Sequence, residues 1–465
     1  MKKLTVLLLN PPYSEPILRD NYCCFTSKTG YLWPPVDLLY ISGVLTHKSI
    51  ALSVIDAVST KTKWQTIEDW VQVHQPDVII MLTGTVSFKS DLRELKNIIA
   101  QSKKTRVYLV GNTPVFRPEY FLKTYSFVTG IFHHFFDTAI LDAIVYKKHN
   151  SPSISSCSNG KINFGKVNYL PRLSEIKIPH PPQHHLFPLH TYSTPLSKRH
   201  PIATMLTAFG CPFTCKFCIA SALDFYPRNV KDLEIELDSM KKNGVKEIFF
   251  QDSTFNKNND HLQKVCRLLK KKKYDFTWSA NVHSFNLTID NLNLMKSAGC
   301  HTVQIGVESG SQDILNQYAP SKRKEQLERV FHMCRKVGIR TLGYFIIGFP
   351  TETKDIAKET INFALSLNPD FASFSVLTPD YGTRLYDEAI KKKMIETNTI
   401  SFDSSDEAVL DNNLFPRAKQ NQMITSAYRQ FYLHPRRIIT YIYNYKNWLI
   451  YLKNGIKLFK KKLLQ

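Results

Sequence analysis

The sequence contains no long uninterrupted apolar run. Nowhere in its 465 residues is there a window of the ~18 consecutive apolar residues that a helix needs to cross a bilayer. The short apolar run after Met1 has no cleavage site behind it, so it predicts a first buried strand and not a signal peptide. We therefore expect a cytoplasmic protein. In that reducing compartment cysteines bind metals more often than they form disulfides.

Acidic residues are few compared with basic ones. Lys and Arg together number 61, Asp and Glu together number 39, and the formal net charge is +22. This surplus favours an acidic partner, such as nucleic acid, anionic lipid or a phosphorylated substrate, without choosing among them. Beyond Pro416 there are eleven basic residues and no acidic one, so this segment supplies half of the net charge.

The basic C-terminal segment also has a periodic pattern. Between residues 436 and 462, aromatic and aliphatic residues recur at helical spacing, and lysines occupy the other face. The pattern predicts a helix. Such a helix can pack on the preceding domain with its lysines in water, or lie peripherally on the anionic inner face of a membrane, and both alternatives stay open.

A second C-x2-C pair, which a structural zinc site normally requires, is missing from the sequence. What is present is one group of three cysteines, Cys211, Cys215 and Cys218, in the spacing C-x3-C-x2-C. Three thiolates leave one iron of a [4Fe–4S] cluster without a protein ligand, and an open iron can bind a small molecule. We therefore interpret these cysteines as the metal ligands of a catalytic cluster.

This motif resembles the cysteine motif of the radical S-adenosylmethionine (SAM) enzymes, and the aromatic Phe217 before the third cysteine fits the same cofactor site. The resemblance implies that the open iron is chelated by the amino and carboxylate groups of SAM. It also implies that an electron from the cluster cleaves SAM to a 5′-deoxyadenosyl radical. A reductant such as flavodoxin or ferredoxin is then an expected partner.

Residues 201–385 alternate strands and helices. Six parallel strands predict a partial (β/α)6 barrel of the TIM type, which is the fold of this superfamily. Active residues are expected at the carboxyl ends of its strands, and the motifs there resemble the superfamily's SAM-binding elements. The implied SAM contacts are Asp252 with the amino group, Gly306, Glu308 and Ser309 with the ribose, Arg340 with the carboxylate, and Gly343, Ile346 and Gly348 with the adenine. No catalytic residue is assigned beyond the cluster and the SAM site.

Residues 1–145 also alternate apolar strands with amphipathic helices, which predicts a Rossmann-like, doubly wound parallel sheet. Its strands are expected near residues 5–9, 51–55, 77–81, 106–110 and 126–128. The region resembles the cobalamin-binding domain that precedes many radical SAM barrels, in residues 9–12, 33–39 and 54–57. In such sheets ligands bind beyond the carboxyl ends of the strands. The expected cobalamin contacts there are Asn10, Thr83, Thr85 and Gly111.

The N-terminal region contains no Asp-x-His-x-x-Gly, so cobalamin is expected to bind with its lower base displaced. A Rossmann-like domain that holds no cofactor is the alternative. Residues 146–200, rich in proline and serine, are interpreted as a linker. Residues 386–465 are interpreted as a helical, basic C-terminal region.

Together these resemblances imply a cobalamin-dependent radical SAM enzyme that methylates an unreactive carbon of a small-molecule, lipid or peptide substrate. A cobalamin-dependent cyclase or rearrangement enzyme that transfers no methyl group is the first alternative. A tRNA methylthiotransferase is the second, and it is disfavoured. That family carries three further N-terminal cysteines, whereas here Cys23 and Cys24 are adjacent and Cys157 lies in the expected linker. Nothing in the sequence points specifically to nucleic acid.

Overall fold

The computed structural model describes residues 3–100, 104–158, 160–166, 180–222, 225–396, 403, 408–435 and 437–438. They form a mixed α/β fold with two large sheets, as the sequence predicted. Nearly all of residues 436–462, where a basic helix and a membrane contact were expected, lie outside the described residues. Within the described part of the chain, no helix is long and apolar enough to span a membrane.

The N-terminal sheet has seven strands in the order β4-β1-β5-β6-β7-β8-β9, and the first five are parallel. The strands of this half, including the separate hairpin β2–β3, are β1 (Leu4–Asn10), β2 (Ile17–Arg19), β3 (Cys24–Thr26), β4 (Ile50–Asp56), β5 (Val78–Leu82), β6 (Arg106–Val110), β7 (Val128–Phe132), β8 (Ile154–Ser158) and β9 (Lys161–Asn163). The helices are α1 (Val36–Val44), α2 (Ala57–Thr60), α3 (Trp64–His74), α4 (Phe88–Ile99), α5 (Asn112–Phe116), α6 (Pro118–Thr124) and α7 (Ala139–Tyr146).

Two expectations about this sheet were wrong. The fifth strand begins at Val128, where the expected strand ended, because the apolar run continues to Phe132. The serine-rich stretch interpreted as linker instead forms β8 and β9, which add to the sheet antiparallel. Its inward side chains are small, and Ser155 is fully buried beside β7, so pairing with an existing sheet edge orders a stretch that has little apolar character.

The second sheet is a six-stranded parallel barrel, in the order β10-β13-β14-β15-β16-β17. Its strands and the short hairpin β11–β12 are β10 (Ile202–Met205), β11 (Ala208–Phe209), β12 (Tyr226–Pro227), β13 (Glu247–Phe250), β14 (Thr277–Val282), β15 (Cys300–Glu308), β16 (Arg340–Ile347) and β17 (Phe371–Val376). The helices of this half are α8 (Val230–Lys242), α9 (Asn259–Lys271), α10 (Ile289–Ser297), α11 (Gln312–Tyr318), α12 (Lys324–Val337), α13 (Lys354–Leu367), α14 (Arg384–Lys391) and α15 (Arg417–Tyr432).

The helices of the barrel begin at well-defined residues. An Asn or Thr side chain at the N-cap accepts a hydrogen bond from a backbone N–H of the first turn, which satisfies one of the donors that a helix start leaves without a partner. The N-cap residues with such a bond are Asn229, Asn258, Thr288, Thr353 and Thr383. These caps fix the loops that leave the carboxyl ends of the strands.

The barrel is open between β17 and β10, and helix α15 covers the exposed edge of β17. The Tyr428 hydroxyl accepts from the Phe374 N–H at 3.1 Å and donates to the Phe374 carbonyl at 3.0 Å. The Tyr432 hydroxyl does the same for Ala372, at 3.0 and 2.7 Å. The two phenol hydroxyls therefore bind backbone N–H and carbonyl groups that a neighbouring strand would otherwise pair with.

The carboxyl ends of the two sheets face each other, with the hairpin β2–β3 between them. The rings of Trp33 and Phe249 lie 5.6 Å apart, and the Thr26 hydroxyl donates to the Asp403 carboxylate at 2.7 Å. Arg117 lies 4.3 Å from the ring centroid of Tyr381. These contacts enclose the region into which both sets of strand ends point.

One buried hydrogen-bond network joins the two halves. The Tyr40 hydroxyl of α1 accepts from the Leu206 N–H at 2.8 Å and from Arg228 at 2.8 Å. Arg228 also pairs with Glu236 at 2.7 Å, and Glu236 contacts His184 of the connecting segment at 3.1 Å. The network thus contains groups from α1, from the connection and from the first βα unit of the barrel.

Candidate functional site

The three cysteines lie on one loop above the barrel. The antiparallel pair β11–β12 closes the base of the loop. Its middle is fixed by two backbone hydrogen bonds of 2.9 Å, from the Lys216 N–H to the Tyr318 carbonyl and from the Leu385 N–H to the Lys216 carbonyl. The loop is therefore held between the end of α11 and the start of α14.

The thiols of Cys211, Cys215 and Cys218 are partly exposed and form no disulfide. Burial raises the pKa of all three, that of Cys215 to about 12, and the nearby Lys322 ammonium acts against this rise for Cys211 and Cys215. Within the described residues, no three His, Cys, Asp or Glu side chains are placed to hold one metal ion. Three neighbouring thiols are nonetheless the donor set of a [4Fe–4S] cluster with one open iron, and iron would displace their protons.

Two aromatic residues of the loop pack against the barrel. The Phe217 ring lies 6.0 Å from that of Phe349, edge to face, so it anchors the backbone beside Cys218. The Phe213 ring stacks on His283 with centroids 3.9 Å apart. Both contacts restrict the positions of the thiols.

Asp252 lies directly after β13 and is fully buried. Its Oδ1 accepts from the Thr207 N–H at 2.9 Å, from the Thr207 hydroxyl at 3.0 Å and from the Ala208 N–H. Its Oδ2 is buried and has no hydrogen-bond partner among the described residues. Burial raises the pKa of Asp252 to about 7, although these donors oppose the rise. The carboxyl group therefore holds the start of the cysteine loop and leaves one oxygen unused.

The end of β15 brings Glu308 beside a lysine that the sequence did not indicate. Glu308 has a φ of +69°, and its carboxylate lies 3.5 Å from the Lys322 Nζ, which donates to the Gly306 carbonyl at 2.6 Å. A Cβ at Gly306 would lie 2.2 Å from Glu308 Oε1, so only glycine leaves room for this carboxylate. Ser309 is buried and its hydroxyl contacts that of Thr360 at 3.2 Å, which makes it a support of the turn.

The turn after β16 is built around Gly348 and a buried carboxyl group. Gly348 has a φ of +103°, and a Cβ there would lie 2.3 Å from Gln420 Oε1. Glu352 Oε2 accepts from the N–H groups of Gly348 and Phe349. Burial raises the pKa of Glu352 to about 8. Sequence reasoning missed Glu352, although its position four residues after Gly348 was visible.

Gly343 and Ile346 lie on the strand that leads to this turn. A Cβ at Gly343 would lie 2.8 Å from the Phe345 ring, and Ile346 is half-buried, on the same side of the strand as the more exposed Tyr344. Gly343 therefore leaves room for the Phe345 ring, and Ile346 faces the barrel interior.

The structure places Arg340 away from the cysteine loop. Arg340 is the first residue of β16 and so lies at the opposite end of the strand from the cysteine loop. Its guanidinium donates to the Thr302 hydroxyl at 3.0 Å and to the Leu196 carbonyl at 2.7 Å, and it contacts His301. The guanidinium is therefore engaged in hydrogen bonds at the amino end of β16.

The expected cobalamin contacts at the N-terminal sheet are buried and bonded to one another. Asn10 donates to Asp56 at 2.7 Å and accepts from Arg19 at 3.0 Å. Thr83 donates to Asp91 at 2.6 Å, and Arg19 pairs with the same carboxylate at 3.3 Å.

Thr85 and Gly111, the other two expected contacts, are also packed against groups of the protein itself. Thr85 accepts from Asn112 at 2.9 Å and from Thr113 at 3.0 Å. A Cβ at Gly111 would lie 1.9 Å from the Thr83 carbonyl, so this glycine allows the backbones that follow β5 and β6 to approach closely. The side chains of Asn10, Thr83 and Thr85 are thus engaged in hydrogen bonds within the protein, and their contact with cobalamin stays a prediction.

Acceptor groups suited to such a ligand occur instead beside the hairpin β2–β3. Asn21 Oδ1, Gln251 Oε1 and both carboxylate oxygens of Asp37 are buried without a hydrogen-bond partner among the described residues. Asp20 links this group, because it accepts from Gln251 at 2.9 Å and its nearby charge adds to the burial that raises the pKa of Asp37. Cobalamin carries peripheral carboxamides that donate hydrogen bonds, so these acceptors fit it chemically.

A parallel barrel with three cysteines on the loop after its first strand defines the class of protein. Residues 205–364 match the family model described as the Radical SAM superfamily. This part of the chain is therefore a radical SAM domain, and the protein that carries it is a radical SAM enzyme.

Similar proteins include methyltransferases and a cyclase. A Pyrococcus horikoshii protein described as an uncharacterized methyltransferase is 28% identical over 97% of this chain and 97% of its own length. The anaerobic magnesium-protoporphyrin IX monomethyl ester cyclase of Cereibacter sphaeroides is 25% identical over 90% of this chain and 70% of its own. The cytidylyl-2-hydroxyethylphosphonate methyltransferase of Streptomyces wedmorensis is 25% identical, and the match spans 44% of that enzyme.

Two solved structures share the fold. The cobalamin-dependent SAM radical enzyme OxsB, with aqua-cobalamin and SAM bound, has a TM-score of 0.71 at 16% identity, covering 98% of this chain and 72% of its own. The radical SAM methyltransferase TsrM from Kitasatospora setae, with cobalamin and a [4Fe–4S] cluster bound, has a TM-score of 0.64 at 17% identity, covering 84% and 75%. Both likenesses extend over the N-terminal sheet as well as the barrel.

Proposed function

We propose that this chain is a cobalamin-dependent radical SAM methyltransferase that acts on an unreactive carbon. The observation that carries the proposal is the position of the cysteine loop, which lies at the carboxyl ends of the barrel strands and faces the N-terminal sheet. The Pyrococcus relative, matched along almost its whole length, is described as a methyltransferase. The fold is shared with two enzymes whose descriptions name cobalamin.

Within this proposal, Cys211, Cys215 and Cys218 hold the cluster, which supplies the electron for SAM cleavage. Glu308 binds the ribose hydroxyls. The turn from Gly343 to Gly348, supported by Glu352, receives the adenine. Phe217 and Ser309 support these groups through their packing and do not contact SAM directly.

We assign the SAM carboxylate to Lys322 in place of Arg340. Lys322 is buried, lies 3.5 Å from Glu308 and affects the titration of two of the three thiols, so its charge is close to the expected open iron. An ammonium there balances a carboxylate that would otherwise be buried without an opposite charge. The free oxygen of Asp252 is the acceptor for the SAM amino group.

Cobalamin, when bound, would supply the methyl group that is transferred to the substrate. We propose that Asn21, Asp37 and Gln251 accept hydrogen bonds from its carboxamides. The contacts between the two halves, including Trp33 on Phe249, exclude water from the radical. The protein's part in the reaction is thus binding, orientation and exclusion of solvent.

We keep the division into an N-terminal cobalamin-binding unit and a barrel at residues 201–385, with β8 and β9 added to the former. We also propose that the protein works in the cytoplasm, together with a reductant and a small-molecule substrate.

A cyclase or rearrangement enzyme is the second candidate, because the Cereibacter relative is matched over 90% of this chain and is described as a cyclase. Product mass separates the two. A gain of one methylene unit per turnover, with label transferred from methyl-labelled SAM, supports methylation, and an unlabelled product of altered ring structure supports the alternative.

The cluster itself is tested by substitution. Anaerobically reconstituted protein should bind about four irons, and Cys215→Ala should lose both the iron and the formation of 5′-deoxyadenosine. Cys157→Ser, which changes a partly exposed cysteine on β8, is the matched control and should keep both. Equal loss in the two variants would contradict the assignment.

A further inference from the structure

A small aromatic surface lies directly beside the cysteine loop. The Phe285 side chain, on the loop after β14, is 39% exposed. Phe213, between the first two cysteines, is half-buried, and the neighbouring Thr214 is exposed. Single exposed apolar residues are ordinary. Here the exposed ring adjoins the backbone that carries the candidate cluster.

The side chains of this surface are held in place. The rings of Phe213 and Phe285 lie 6.3 Å apart, edge to face, and Phe213 stacks on His283. His283 Nδ1 accepts from the Phe285 N–H at 3.0 Å, so the proton is on Nε2, which donates to the Ser321 hydroxyl at 3.1 Å. The surface is therefore formed before any partner arrives.

The surface carries positive charge. The Lys257 Nζ lies 5.3 Å from the ring centroid of Phe213 and 5.7 Å from that of Phe285. Lys257 forms no ion pair with the described part of the chain, and the acid nearest to it in sequence, Asp260, pairs with Lys264 at 2.6 Å. Lys257 is half-buried, and Arg323, two residues after Ser321, is exposed. A cation beside apolar rings fits a partner with carboxylates around an apolar centre.

We infer that an acidic one-electron carrier protein docks on the surface formed by Phe213, Lys257 and Phe285. This inference rests on the proposed function, because SAM cleavage requires an electron from the cluster. The step is an electron transfer only: the carrier is oxidised by one electron, the cluster is reduced by one electron, and no atom moves. Phe213 lies between two of the cysteines, so a carrier seated there approaches the cluster closely.

The test compares a protein donor with a small one. Full-length reconstituted enzyme is assayed for 5′-deoxyadenosine with reduced flavodoxin and, separately, with dithionite. Lys257→Glu should lower kcat/KM for flavodoxin roughly three- to tenfold, the lower range of electrostatic steering. Phe285→Ser should lower it by a similar factor, and the rates with dithionite should stay at the wild-type value. Lys96→Glu, on the exposed face of α4, carries the same charge change away from the loop and should match wild type with both donors.

Salt provides a second readout. The flavodoxin-dependent rate of wild type should fall steeply as ionic strength rises, and that of Lys257→Glu should fall less, because fewer opposite charges attract the carrier. Wild-type rates with flavodoxin in both surface variants would overturn the docking site. A loss of rate with both flavodoxin and dithionite would also overturn the docking site. Such a result would indicate that the substitution damages the cysteine loop or blocks entry of the substrate. Absence of SAM cleavage by wild type with dithionite would instead refute the proposed function.

Discussion

Two buried carboxyl groups at the candidate site keep their protons at pH values where exposed carboxyls have lost them. Asp252 holds the start of the cysteine loop and Glu352 holds the turn after β16. Burial raises the pKa of Asp252 to about 7 and that of Glu352 to about 8. Each carboxyl group therefore supports its loop through hydrogen bonds, and its charge depends on pH near neutrality.

Replacing Glu352 by Gln should reduce the pH dependence of stability. As pH rises from about 4.5, where Glu352 titrates in the unfolded chain, to about 8, the unfolded chain releases a proton that the folded chain retains. The stability of the native state therefore falls across this window, by at most about 1.4 kcal/mol per pH unit from this group. Gln keeps an acceptor for the two N–H groups and cannot titrate. Melting temperatures of Glu352→Gln should vary less between pH 5 and 8 than those of wild type.

The control for this measurement is Glu359→Gln, an exposed position on helix α13, which begins two residues after Glu352. It should follow the wild-type profile. If Glu352→Gln also followed it, Glu352 would be charged in the folded protein throughout this range.

Lys322→Met should weaken binding of SAM by roughly 10- to 100-fold, the cost of a lost charge-assisted hydrogen bond of about 1.5–3 kcal/mol. Binding of methylthioadenosine, which has the adenine and ribose but no carboxylate, should change little. Arg340→Met, at the end of β16 that lies away from the cysteine loop, should leave the affinity for SAM unchanged. Equal weakening of both ligands by Lys322→Met would indicate a distorted Glu308 turn and no carboxylate contact.

At the scale of elements, the closure of the barrel depends on two residues of α15. Tyr428 and Tyr432 are four residues apart on a helix, and the backbone groups that they satisfy, at Ala372 and Phe374, are two apart on a strand. Four residues of a helix rise about 6 Å and two residues of a strand rise about 6.6 Å, so the spacing of the two hydroxyls matches that of the backbone groups they bind. The edge strand is thereby protected without a further strand.

The double variant Tyr428→Phe and Tyr432→Phe should make the protein self-associate. It keeps the aromatic packing but removes the partners of the Ala372 and Phe374 N–H groups and of the Ala372 carbonyl, whereas the Phe374 carbonyl keeps its hydrogen bond of 2.7 Å from Lys28. A strand edge with unpaired groups pairs with other strands. Sedimentation should show concentration-dependent oligomers, and amide exchange at Ala372 and Phe374 should increase. Tyr22→Phe, which alters a tyrosine elsewhere, is the control. A variant that stayed monomeric would show that α15 covers the edge by packing alone.

The main elements could be predicted from sequence because their apolar runs are long and their turns carry glycine. β8 could not, since Ser155 and Ser156 become buried only through pairing with β7. The cysteine loop was predicted from spacing alone. Lys322 was not, because it lies in the segment between α11 and α12 and meets Glu308 only in the folded chain.

At the scale of the whole molecule, the two sets of strand ends define one enclosed region. The acceptors Asn21, Asp37 and Gln251 are buried with oxygens that have no partner among the described residues, whereas the residues first expected to contact cobalamin are bonded to one another. Asn21 belongs to the hairpin, Asp37 to α1 and Gln251 to the segment after β13, so the proposed acceptors come from both halves of the molecule.

Hydroxocobalamin should bind to the reconstituted protein with its lower base displaced, as judged from its absorption spectrum. Asp37→Asn should reduce its affinity roughly tenfold, because one of the two carboxyl oxygens is replaced by an NH2 group that cannot accept a hydrogen bond. Asp69→Asn, an exposed change on α3, should have no effect. A base-on spectrum, or unchanged affinity in Asp37→Asn, would contradict the placement of the cofactor beside the hairpin.

The network around Tyr40 has a consequence for protein engineering. Arg228 and Glu236 belong to the barrel, Tyr40 to helix α1 of the N-terminal half and His184 to the connection, so a chimera that takes one half from a relative would separate groups that satisfy each other. A buried ion pair that loses a partner costs about 3–5 kcal/mol. Exchange of modules between relatives should therefore succeed only when α1, the connection and the first βα unit are transferred together.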